Sequence, residues 1–205
     1  MQSAVYRQDS NHDRADAKLD PQNVWLWRFG PRRLEAEVIR DSLLAVSGLL
    51  DAQMFGPGTL DADSRRRSIY FTVKRSKLMP TMTLFDAPQA LVSQGRRIST
   101  TIAPQALLLM NSPQVRNYAT GLAGRVTPQE AAGSEHVVNR LYEITLGRAP
   151  RAAELAAAVA FLRQQSEAYQ QRQSDGHRPT EEAGEIALVD LCQAMISLNE
   201  FIYVE

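Results

Sequence analysis

Leu34, Val38, Ile39, Leu43, Val46 and Leu50 recur every three to four positions, and Pro31 after Gly30 suits a first helical position. This stripe predicts a helix that opens at Pro31, with Glu35 and Glu37 near the positive end of its dipole and Gly48 weakening its last turn. Gly56-Pro57-Gly58 breaks the pattern, and the period then changes. Ile69, Phe71 and Val73 alternate with Tyr70, Thr72 and Lys74, which predicts a short half-exposed strand. Its partner lies either around residues 53–60 or outside the chain, because one strand cannot satisfy its own backbone groups.

From Pro104 onward the pattern is helical. Ala106 to Met110 opens a short helix, and Ser112-Pro113 predicts a cap and first turn for another carrying Val115, Tyr118, Leu122 and Val126. Thr127-Pro128-Gln129-Glu130 has the spacing of a capping box, ahead of a helix through Val137, Val138, Leu141, Tyr142, Ile144 and Leu146. Gly147 supplies a left-handed stop, and Arg148-Ala149-Pro150 turns the chain into an antiparallel helix containing Leu155, Ala158, Val159, Phe161 and Leu162. Gln170 to Pro179 reads as a loop, and Thr180, Glu181 and Glu182 open the last long helix, with Ile186, Val189, Leu191, Cys192, Met195 and Ile196 as its stripe. Ser197 and Glu200 predict a short capped turn at the end.

The fold class is therefore mainly α. A helical C-terminal unit, 127–205, packs on a mixed segment, 31–126, that holds one short strand or small hairpin; the two are also compatible with one continuous domain. Residues 1–30 read as a polar arm with a turn at Asp20-Pro21-Gln22-Asn23 and a docked aromatic anchor, in which alternation places Trp25, Trp27 and Phe29 on one face. The surface they meet is either the body of the chain or an upstream domain.

With 205 residues, 44% apolar and 22% charged, the chain belongs among ordinary globular proteins, and a formal net charge of zero gives no general attraction to nucleic acid or anionic membrane. The distribution is less even. Arg65, Arg66, Arg67, Lys74, Arg75, Lys77, Arg96 and Arg97 face the single acid Asp86 within residues 65–97, so the remainder is net acidic. One cysteine, Cys192, excludes an internal disulfide and the two-cysteine attachment of a c-type haem within this chain. Met1 to Lys18 lacks the apolar centre of a secretory signal, and no run of about 20 apolar residues predicts a spanning helix.

Candidate chemistry is sparse. His12, His136 and His177 stand far apart without a metal-ligand spacing, and Cys192 sits in an apolar stripe where a small buried residue is ordinary. Ser112 lacks a nucleophile elbow and is accounted for by capping. Glu35, Glu37 and Asp41 share a helix with Arg33 and Arg40, which predicts a solvated, charge-paired face. The catalytic, cofactor and metal assignments are therefore empty. The basic run alone asks for a partner: either its members bridge to acids of the helices or of parent domains, or they form an anion-binding face for an acidic protein, an anionic polysaccharide or a phosphate. Nucleic acid is the weaker expectation, since only Tyr70 and Phe71 interleave the basic positions.

Read in order, Tyr6-Arg7-Gln8, Trp27-Arg28-Phe29, Arg32-Arg33-Leu34, Glu37 to Asp41, Phe85-Asp86-Ala87-Pro88, Gly95-Arg96-Arg97, Thr100-Thr101, Pro104-Gln105-Ala106-Leu107, Met110-Asn111-Ser112-Pro113, Leu146-Gly147-Arg148 and Asn199-Glu200-Phe201 carry a resemblance. From about Tyr6 to its C-terminus the chain resembles the planctomycete domain of unknown function found downstream of planctomycete-type cytochrome c domains. The resemblance implies the C-terminal part of a longer, exported, envelope-associated protein, whose c-type haem, where present, lies elsewhere in the parent. It implies no functional residue. One departure is Arg151, where the family usually offers a serine or threonine cap, at a cost of about 1 kcal/mol.

The resulting expectation is a non-catalytic interaction or scaffolding module. The rival is part of a polysaccharide-acting enzyme sharing its site with an upstream domain, which requires Asp86, Arg96 and Arg97 to converge in a cleft.

Overall fold

A helix that is apolar on every side belongs in the interior, and Ala183–Ile196 (α8) occupies that position with Ile186, Ala187, Val189, Leu191, Cys192, Met195 and Ile196 all buried. The computed structural model describes residues 2–88, 93, 95–127, 133–174 and 182–204. Ahead of α8 in the chain come α1 (Arg14–Leu19), β1 (Arg32–Arg33), α2 (Ala36–Val46), a 3₁₀ turn (Ser68–Tyr70), α3 (Pro80–Leu84), α4 (Ala103–Asn111), α5 (Pro113–Val126), α6 (Ser134–Leu146) and α7 (Ala152–Ser174). After it come α9 (Asn199–Ile202) and β2 (Tyr203–Val204). The fold is mainly α, and β1 and β2 form one antiparallel pair with Arg32 opposite Val204 and Arg33 opposite Tyr203.

α8 packs against α5 and α7, α6 closes on α7, and α2 rests on α5. The apolar core runs without a break from Ala36 to Ile202, through Leu44, Leu122, Val126, Leu141 and Ile196. Gly121 lets α5 approach the end of α2, since a Cβ there would lie 2.9 Å from the Ser47 carbonyl oxygen and 3.2 Å from Leu49. Arg125 donates to the Ala45 and Val46 carbonyls at 2.9 and 3.0 Å, satisfying the exposed end of α2.

The sequence expectations need several corrections. The first long helix starts at Ala36, because Arg32 and Arg33 are drawn into strand pairing and Leu34 N donates to Ile202 O at 2.8 Å. Residues 69–73 form no regular strand. The Ser68 amide and hydroxyl both donate to Asp41 Oδ1 at 2.7 Å, which winds Ser68–Tyr70 into a 3₁₀ turn, while Thr59 and Phe71 make a single parallel bridge. Ser112 precedes α5 as expected, yet its carbonyl, accepting from Arg116 N at 3.0 Å, does the work and its side chain makes no cap.

The Thr127 hydroxyl turns back to Ala123 O at 2.8 Å and so ends α5, with α6 beginning at Ser134; Pro128, Gln129 and Glu130 of the expected box lie outside the described residues. Residues 170–174 continue α7, and 175–181, including Thr180 and Glu181, lie outside the described residues. Ser197 likewise serves the preceding helix, donating to Gln193 O at 2.7 Å. Gly147 stops α6 at φ 67°, as its lack of a Cβ allows.

The arm is not the expected extended anchor. Asn23 and Leu26 take positive φ, so alternation is lost and Trp25 stands 77% exposed, while Trp27 Nε1 donates to Asp20 O at 2.9 Å. The turn at Asp20 is present: its carboxylate receives Trp25 N at 2.8 Å, and α1, capped by Asp13, leads into it.

Candidate functional site

Val38, Asp41, Ser42 and Ala45 line one side of α2, and the 3₁₀ turn, the chain after it, α3 and Arg97 face them. Between these walls lies a groove of about 720 Å³. Phe71, Met79, Met82 and Leu50 form its floor, packed against the core. Val38, Ile69, Val73 and Leu78 line it at 42%, 77%, 71% and 39% exposure, an apolar surface left open to solvent. Ile69, Phe71 and Val73 all line the groove, but Thr72 and Lys74 line it as well, so the expected two-faced alternation is not kept.

Arg40 anchors the wall from behind. It is buried on α2, donates to Arg66 O at 2.9 Å, Ser68 Oγ at 3.3 Å and Ser64 O, and stacks 4.4 Å from the Phe71 ring centre. A guanidinium with several fixed donors can hold an irregular loop where no strand ladder exists. Asp41 completes the anchor through Ser68 and through Arg67 Nε at 3.4 Å.

Arg67, Lys74, Lys77 and Arg97 of the basic run line this groove. Arg97 donates to both Glu37 oxygens at 2.7 and 3.0 Å and lies 3.1 Å from Glu35, and the hydrogen bonds from Arg97 hold the Glu37 carboxyl below its usual range. The expected pairing of this helix face is thus real: Arg40 lies 3.7 Å from Asp41 from its buried side, Arg97 and Arg67 supply the exposed cations, and Arg33 turns elsewhere.

Arg66 is engaged inside the loop, with Pro57 O at 3.1 Å, Gln53 O at 3.3 Å, Phe55 O, and the Tyr70 ring 3.6 Å away. Arg65, Arg75 and Arg96 are exposed. Lys74 and Lys77 face one another in an antiparallel bridge, with Lys77 N donating to Lys74 O at 3.0 Å, and neither ammonium has an acidic partner among the described residues.

Of Asp86, Arg96 and Arg97, the groove is lined by Arg97, and Asp86 belongs to a separate cluster. Asp86, held at φ 62°, receives Arg33 Nη2 at 2.7 Å, the Thr100 amide at 2.7 Å and the Thr100 hydroxyl at 2.9 Å. Burial works against its ionisation, but these donors outweigh it and hold its carboxyl below the usual range. Gln105 joins the cluster through Leu84 O at 2.9 Å and Thr100 O at 3.1 Å.

A second cluster has the same structural character: Arg148 reaches Glu154 at 2.8 Å and Glu200 at 2.5 Å, while Arg151 N donates to Glu154 Oε2 at 2.7 Å. Glu154 therefore supplies the reaching-back half of a capping box, which offsets the missing hydroxyl at Arg151.

His12 meets Trp27 edge-on at 5.8 Å, His136 is exposed, and His177 lies outside the described residues. Cys192 is fully buried, and desolvation pushes its thiol up to about 12, the opposite of what a nucleophile needs. Ser112 is half-buried at a helix junction. Among the described residues no group of three or more metal-ligand side chains gathers, and no helix is long and apolar enough to cross a membrane.

Sequence reasoning missed the groove itself. Its signal lay in the apolar residues of the basic run, Ile69, Val73 and Leu78, whose exposure depends on the tertiary anchor at Arg40 and Asp41.

Comparison with known proteins adds kinship. The family described as PSD1, protein of unknown function (DUF1553), matches residues 1–162. No curated protein and no solved structure matches the chain. The matched region ends inside α7, before the central helix α8.

Proposed function

The chain belongs to this family of unknown function, and on that premise we propose that it is a non-catalytic interaction module whose groove along α2 receives a protein partner. One observation carries the reading: exposed apolar residues line a formed groove whose acids are already paired with Arg67 and Arg97. Such a surface offers burial to a partner, and its ion pairs leave no free carboxylate poised as an acid or base.

Its place is at the C-terminal end of a longer, envelope-associated protein of planctomycete type, whose upstream domains or a neighbouring envelope protein are the partners. Of the basic run, Lys74 and Lys77 at the groove and the exposed Arg65, Arg75 and Arg96 supply the anion-facing contacts, while Arg67 and Arg97 are paired with the groove's own acids and Arg66 braces the loop. Any c-type haem belongs to another part of that protein, since the lone buried Cys192 does not fit two-thioether attachment.

The test is affinity capture from envelope extract with the chain as bait, beside an Ile69→Asp variant. Ile69 is exposed, so the substitution leaves the core intact. A defined partner retained by the parent chain and lost by the variant supports the reading. Equal recovery on both, or none on either, overturns it.

A further inference from the structure

We propose that the groove seats a peptide segment in which apolar side chains are flanked by carboxylates, the apolar side chains covering Val38, Ile69 and Val73 and the carboxylates pairing with Lys74 and Lys77. The inference rests on the interaction reading above and gives its partner a chemistry. Directly opposed residues of an antiparallel bridge carry their side chains on the same face, and like charges placed so repel. Lys74 and Lys77 are such a pair at the lip of the groove, and the short turn between them fixes the opposition, with Lys77 N on Lys74 O at 3.0 Å.

The other charges of the groove are matched. Arg97 is occupied by Glu37 and Glu35, and Arg67 by Asp41. The two ammoniums are thus the unmatched charge beside an open apolar surface, and the complement is an anion continuous with apolar groups.

Two features select a peptide over other anionic amphiphiles. The hydroxyls of Ser42 and Thr72 and the carboxylates of Glu35, Glu37 and Asp41 are spread along the groove. A bare alkyl chain would cover those polar groups without pairing them, whereas a peptide backbone can donate to and accept from them. Nucleic acid fits worse, because the exposed lining is aliphatic, Val38, Ile69, Val73 and Leu78, and offers no run of aromatic faces on which bases stack.

Fluorescence anisotropy with the full chain tests the assignment. The probe is a labelled peptide of alternating leucine and valine flanked by glutamates, compared with the same apolar run flanked by lysines and with laurate. The glutamate-flanked probe should saturate, and the lysine-flanked one should bind at least ~tenfold more weakly. In Lys74→Glu/Lys77→Glu, at exposed positions, that preference should reverse, and Val73→Asp should weaken both probes.

Equal affinity for the two peptides, saturation by laurate alone, self-association of the chain through the groove, or an unchanged preference in the double variant would each overturn the assignment. If the peptides fail while a partner is still captured by the parent chain and lost by Ile69→Asp, the peptide chemistry falls and the interaction reading stands. If capture fails as well, both fall.

Discussion

Arg33 and Asp86, 53 positions apart, meet at 2.7 Å with only 4% and 17% of their side chains exposed. Arg33 also donates to Phe85 O at 3.1 Å and Thr100 O at 2.5 Å, so one guanidinium ties β1 to the turn after α3 and to the approach to α4. Three of the short motifs that give the sequence its kinship, Arg32-Arg33-Leu34, Phe85-Asp86-Ala87-Pro88 and Thr100-Thr101, are therefore parts of one clamp.

Removing one member of a part-buried pair leaves the other charge without its counter-ion. Asp86→Ala should lower unfolding free energy by about 1–3 kcal/mol in urea titrations, since the pair is part-buried and Arg33 keeps the Phe85 and Thr100 carbonyls. Arg33→Met/Asp86→Leu, which deletes both charges and keeps apolar volume, should recover most of that loss. A double variant no more stable than Asp86→Ala would mean that the pair matters through backbone contacts instead.

Acid stability should depend on Glu154. The hydrogen bonds from Arg148, followed by that from the Arg151 amide, bring its carboxyl from an ordinary 4.5 down to about 2. A carboxyl with a lowered pKa in the folded state binds fewer protons there than in the unfolded chain. Its contribution is complete above 4.5 and is lost as pH falls toward 2. Stability measured against pH should therefore fall less steeply through that window in Glu154→Gln than in the parent chain. Parallel curves would refute the assignment.

Gly121 and Gly124 lie one turn apart on α5 and should respond oppositely to alanine. Gly121→Ala brings a Cβ to 2.9 Å from Ser47 O and should cost about 1–3 kcal/mol. Gly124→Ala meets nothing within 4 Å and should stabilise the helix by about 0.5–1 kcal/mol. Thermal melting of the two variants gives the sign directly.

Much of the helical layout is legible in the sequence because local chemistry decides it. Gly147 stops α6 where a left-handed residue is needed, Pro113 opens α5, and the stripe from Ile186 to Ile196 marks the core helix. What is illegible depends on residues remote in the chain. Nothing near Ile69 announces that Asp41 will wind Ser68–Tyr70 into a 3₁₀ turn, and nothing near Arg32 announces Val204. Arg40 reads as a surface cation by spacing and is buried because distant carbonyls face it. For the groove, the charges Arg67, Lys74, Lys77 and Arg97 stood out by density, while the apolar surface they border was hidden in an alternation that resembles a strand.

The pairing of Arg32–Arg33 with Tyr203–Val204 also orders events during synthesis. As a nascent chain leaves the ribosome, β1 emerges ahead of α2 to α9 and waits, its edge unmatched, until β2 has been translated. A chain cut after α8 would consequently present that waiting edge to chaperones and to its own copies.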